Sequence, residues 1–108
     1  MKAKSILLVE DNPQDEMLIL RALKKVSLAN EVEVVRDGQQ AIDHLFGIGE
    51  FAARANAELP AVVLLDIGLP RISGLEVLAR LRADERTRLL PVVILTSSDE
   101  ERDRLKSY

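Results

Sequence analysis

The chain has no cysteine and no tryptophan, a single histidine and three other aromatic residues (Phe46, Phe51 and Tyr108) in 108 positions. Without cysteine there are no disulfides and no thiolate metal sites, and the redox compartment is left open. With so few rings, base-stacking platforms and aromatic cages are unexpected. A basic excess is also missing. Fifteen Lys and Arg stand against eighteen Asp and Glu, giving a net charge of −3 and a pI near 5.2. That balance argues against nucleic acid or an anionic membrane as the main partner, since both need a basic surface. The first apolar run, Ile6–Val9, is only four residues long, too short for a signal peptide or a membrane span. Cytoplasm is the expected location. No internal repeat, low-complexity tract or linker interrupts the chain, whose length suits one domain with one core.

What is present is a series of apolar runs that end in polar residues. Ile6–Val9 leads into Glu10-Asp11, then Asn12-Pro13, with Asn as helix N-cap and Pro at the first helical position. Asp15 and Glu16 fall in the first turn, where the helix dipole favours acids, and the spacing predicts a helix to about Val26. Glu31–Arg36 reads as a short strand toward a sheet edge. After a turn at Asp37-Gly38, Gln39–Phe46 is predicted helical, with Ala41, Ile42, Leu45 and Phe46 on one face. His44 falls on the face opposite Ile42 and Leu45 or at its margin and is expected at the surface or partly packed. Gly47–Leu59 is a loop with one or two helical turns. Ala61–Asp66 has no alternating polar residue and reads as a strand buried on both faces of a parallel sheet. A helix from about Gly74 to Ala83 follows, with Leu75, Val77, Leu78 and Leu81 inward. Asp84–Leu90 is a charged connection, Val92–Thr96 another apolar strand, and Ser97-Ser98-Asp99 the cap of a last helix from Glu100. The order β-α-β-α-β-α-β-α calls for an α/β, doubly wound parallel sheet of flavodoxin-like type, with right-handed crossovers.

Open α/β sheets place their chemistry beyond the carboxyl ends of the strands. There this chain carries Glu10-Asp11, Asp66 and Thr96-Ser97 on one rim. Singly, each has an ordinary role: Asp11 ahead of a cap, Asp66 in a turn, Thr96 as a turn residue. Jointly, three crowded carboxylates repel one another unless a cation neutralises them. Mg²⁺ suits the site because it takes oxygen ligands and keeps several waters. Asp11 and Asp66 are candidate ligands, with Glu10 acting partly through water and the Gly68 carbonyl completing the set. A carboxylate beside Mg²⁺ is able to attack phosphorus and form an acyl phosphate, and the Thr96 hydroxyl suits a phosphoryl oxygen.

The segments ILLVEDNP, LLDIGLPRISGLEVL and LPVVILTSS resemble, in order and spacing, the three motif blocks of the response-regulator receiver domain of two-component signalling. The likeness covers essentially the whole chain. Gly47–Leu59, with GEFAARA inside it, further resembles a subfamily of single-domain receivers that work with phytochrome-type histidine kinases. The resemblance implies that Asp66 takes a phosphoryl group from a kinase phosphohistidine. It implies that Glu10 and Asp11 hold Mg²⁺ with the Gly68 carbonyl, that Thr96 is the switch hydroxyl, and that Pro70 and Gly74 shape the loop.

One departure stands out. Receivers carry a lysine at the end of a fifth strand, about twenty residues past the switch hydroxyl, and a fifth helix. This sequence stops twelve residues past Thr96. Lys106 falls within the last predicted helix and does not inherit the lysine's role, nor does Tyr108 that of the fifth strand's aromatic. The expectation is a receiver domain over residues 1–108, C-terminally incomplete and without an output domain. Its Val92–Leu95 strand is then an exposed edge open to homodimeric or other edge association. Besides a phosphoacceptor that catalyses only its own phosphotransfer and dephosphorylation, two readings stand: a non-phosphorylated interaction module, and an aspartate-nucleophile phosphatase of the haloacid dehalogenase type. The last lacks its second aspartate, because Gly68 occupies that place.

Overall fold

Four short apolar runs become strands and the amphipathic stretches between them become helices. The computed structural model of the chain describes residues 4–25, 30–54, 58–69 and 71–95. In these, β1 (Ile6–Val9) leads to α1 (Pro13–Lys25), β2 (Val32–Val35), α2 (Gly38–Phe46) and a 3-10 segment (Gly49–Arg54). Then come β3 (Val62–Asp66), α3 (Gly74–Ala83) and β4 (Val92–Leu95). The strands form one parallel sheet in the order β2-β1-β3-β4. This is the flavodoxin-like doubly wound arrangement, with β2 at an edge as its mixed composition suggested. The Val26 end of the first helix, Pro70, Thr96 and the last helix from Glu100 lie outside the described residues.

Side chains alternate across the sheet, so each strand serves two layers. Leu7, Val9, Val35, Val63 and Leu65 meet Ala41, Ile42 and Leu45 of α2 and Val77 and Leu81 of α3 in the main core. On the other face Ile6 and Leu8 are buried, while α1 has no fully buried residue. There Leu20, Leu23 and Lys24 line a cleft of about 190 Å³ with Asn30 and Val32.

The helix starts follow the cap residues. Asn12 Oδ1 accepts from the backbone N–H groups of Gln14 (2.8 Å) and Asp15 (3.3 Å). Asp37 caps α2 by accepting from Gln40 N–H at 2.8 Å, so the helix begins at Gly38 rather than Gln39. Ser73 caps α3, accepting from Glu76 N–H at 3.2 Å. Gly47 closes α2 in the left-handed region, at φ 65°, where glycine has no steric cost.

Two expectations need correction. Leu75 is 58% exposed, because the inward stripe of α3 is Gly74, Val77, Leu78 and Leu81, and Leu75 falls one position off it. His44 is buried rather than superficial. The Asp84–Leu90 connection keeps its charged residues Asp84, Glu85, Arg86 and Arg88 exposed, while Thr87 within it is fully buried and its hydroxyl donates to Leu81 O at 2.6 Å. Arg82 Nη1 donates to the carbonyls of Arg88 and Leu90, each at 2.8 Å, so one guanidinium closes the turn into β4.

Candidate functional site

Parallel register brings the acids together. Val9 pairs with Leu65, so Glu10 and Asp66 leave adjacent central strands at the same level of the rim. Glu10 N–H in turn donates to Val35 O at 3.0 Å, which holds the end of β1 against β2. Glu10 and Asp66 are buried and Asp11, at the turn into α1, is exposed. One carboxylate oxygen from each of Glu10, Asp11 and Asp66 lies within 4.8 Å of the others. The structure thus assembles the three acids singled out in the sequence.

Two short hydrogen-bonded turns aim these groups. Asn12, while capping α1, donates its own N–H to Glu10 Oε2 at 3.1 Å. One residue therefore ties the end of β1 to the start of the helix, with Asp11 held between. Asp66 Oδ1 accepts from Gly68 N–H at 3.0 Å, which folds the chain sharply after β3. The loop returns at Gly74, whose N–H donates to Ile67 O at 3.3 Å. A Cβ at Gly74 would stand 2.5 Å from Asp66 O, and one at Gly38 would stand 2.4 Å from Ile72 O. Both glycines are there because backbone passes too close for any side chain.

Burial pushes the Glu10 carboxyl up to about 8. The hydrogen bond from Asn12 works against this, while a hydrogen bond to Asp66 and the charges of Asp66 and Asp15 reinforce it. Burial first, and the neighbouring acids after it, thus favour the neutral form of Glu10. Three carboxylate oxygens this close together form a donor set suited to a hard divalent cation, which would offset their charge. The Asn12 and Gly68 N–H contacts and the influence of Asp15 were not anticipated from sequence. Asn12 was legible only as a cap. Thr96 lies outside the described residues; the last described residue before it, Leu95, pairs in register with Asp66.

Residues 6–108 match the response regulator receiver domain family. The chain belongs to that family. It is 43% identical over 103 residues to the probable methanogenesis regulatory protein FilR2 of Methanothrix harundinacea, covering 95% of this chain and 64% of that protein. Among solved structures, the bacteriophytochrome response regulator AtBRR superposes with a TM-score of 0.85 at 50% identity, covering all of this chain and 76% of its own. The Mn²⁺-bound form of response regulator Rcp1 gives 0.78 at 39% identity, covering 97% and 73%; Rcp1 belongs to a Synechocystis species. The receiver described here thus spans about two thirds to three quarters of the length of these relatives. Its acidic pocket fits the family's phosphoacceptor site, and the donor set fits a divalent metal ion.

Proposed function

We propose that Asp66 is the phosphoacceptor of this receiver. An Asp66 carboxylate oxygen attacks the phosphorus of a kinase phosphohistidine and the P–N bond breaks, its electron pair remaining on the imidazole. An acyl phosphate is left on Asp66. Mg²⁺ is the proposed ion, held by Asp11, Asp66, the Gly68 carbonyl and Glu10, the last partly through water. When bound it offsets charge on both the carboxylate and the incoming phosphoryl group. The burial of Asp66, with Oδ1 fixed by Gly68 N–H, holds the reacting group at the rim in one orientation. Thr96 is the proposed switch hydroxyl. On this reading the chain acts on no separate substrate and catalyses only its own phosphorylation and dephosphorylation, in the cytoplasm.

The observation that carries the proposal is the convergence of Glu10, Asp11 and Asp66 within 4.8 Å. The proposed donor is a sensor histidine kinase of the phytochrome type, supported by the likeness to AtBRR and to the phytochrome response regulator RcpA (43% identity, TM-score 0.78). Among the described residues no helix is long and apolar enough to cross a membrane. The test is incubation with a small phosphodonor and Mg²⁺, followed by intact-mass measurement. One phosphoryl group is expected on the wild-type chain and none on Asp66→Asn or without divalent metal. No labelling of the wild type, together with failure to bind beryllofluoride, would replace this reading with that of a non-phosphorylated interaction module.

A further inference from the structure

We propose that His44, Glu33 and Arg54 form a proton-sensitive latch, which clasps the Gly49–Arg54 segment onto α2 and β2 and releases it on acidification. The latch lies on the α2 side of the β2 edge, apart from the acidic rim. His44 Nε2 is 2.5 Å from Glu33 Oε2, and Arg54 Nη1 is 3.6 Å from Glu33 Oε1. One carboxylate from β2 therefore serves a ring from α2 and a guanidinium from the 3-10 segment. Phe51 of that segment completes the clasp, with its ring edge-on to His44 at 5.2 Å.

The His44 side chain is only 3% exposed, and its second nitrogen, Nδ1, is buried without a hydrogen-bond partner. Arg54 Nε is buried and unpartnered as well. The neutral ring satisfies this geometry by donating Nε2–H to Glu33 and leaving Nδ1 as a bare acceptor. A second proton would create an N–H at Nδ1 with nothing to receive it, which is the more costly of the two states.

The charged groups acting on the ring among the described residues are Glu33 from β2 and Arg54 from the segment. Phe51 is apolar, and Asp43, next to His44 on α2, is engaged by Gln39 Nε2 at 2.8 Å. Burial holds the imidazole below its ordinary range; Glu33 opposes this and Arg54 adds to it.

The way to admit the proton is to admit water, by lifting the segment that carries Phe51 and Arg54. Its joint with α2 carries two glycines. Gly47 and Gly49 both stand in the left-handed region, at φ 65° and 58°, where glycine is freest. The sign follows from linkage. The open state takes up protons at the ordinary histidine pKa and the closed state only below it, so opening gains as pH falls through about 6.5.

His44 is the sole histidine, so its ring protons give a single unambiguous NMR titration in the whole 108-residue chain. Hydrogen exchange of the Ile48–Arg54 amides, corrected for intrinsic rates, is compared at about pH 7.5 and about pH 5.5. The wild type should show a several-fold rise confined to this segment. His44→Gln, which keeps a donor for Glu33 but takes no proton, should show none. No rise in the wild type, or an equal rise in His44→Gln, overturns the latch. Should His44→Gln not fold, Arg54→Gln decides: the ring midpoint moves up when the neighbouring cation is removed, and an unmoved midpoint overturns the proposal.

Discussion

Glu10 shows how burial changes what one carboxyl side chain does. It is buried beside Asp66 and near Asp15, and its carboxyl is raised from an ordinary 4.5 to about 8. A carboxyl raised by folding contributes stability below its unfolded pKa and loses it as pH climbs through the folded value. In the metal-free protein, thermal stability should therefore decline between about pH 4.5 and about pH 8. Glu10→Gln, which mimics the protonated acid, should flatten that decline. Calorimetry across this range checks it, and parallel profiles for the two proteins would contradict it. The acids themselves were legible, because each follows an uninterrupted apolar run. His44 was not. Whether a residue at the margin of a helical stripe is buried depends on what folds back over it, and the covering residues Phe51 and Arg54 lie in a segment with little periodicity of its own.

At the level of elements, the starts of the helices were readable because cap residues act locally. Asn12, Asp37 and Ser73 each satisfy backbone N–H groups of their own first turn. The connection between α3 and β4 was not readable, since its order comes from side chains that reach back. The Thr87 hydroxyl holds Leu81 O, and Arg82 gathers the carbonyls of the turn. Thr87→Val keeps the shape but leaves the Leu81 carbonyl short of that donor. A loss of about 1–3 kcal/mol in chemical unfolding is expected, with little change in phosphorylation, because this turn lies at the end of the sheet opposite the acidic rim. An unchanged midpoint would contradict a stabilising role for this hydroxyl. Leu75 carries the same lesson in reverse. Its hydrophobicity suggested an inward position, yet α3 turns it out to solvent.

At the scale of the molecule, β4 is an edge of the sheet among the described residues. Val93 is 48% and Ile94 36% exposed, on opposite faces of the strand, since they pair with Leu64 and Leu65. An apolar strand at a sheet edge is a template for another strand. The 108-residue chain is therefore expected to self-associate as its concentration rises, and Val93→Lys to weaken this. Light scattering across a dilution series measures both, and a wild type that stays monomeric throughout would refute the edge as an interface.

The sequence by itself determined the alternation of strands and helices, the parallel sheet and the identity of the rim acids. Those follow from periodicity, from caps and from the rule that buried parallel strands end in their chemistry. Only the tertiary structure decided that burial raises the Glu10 carboxyl and that Gly38 and Gly74 admit passing backbone. It alone decided that a lone histidine is buried against Glu33 and Phe51. Desolvation and close approach depend on which surfaces meet, and residues distant along the chain supply them.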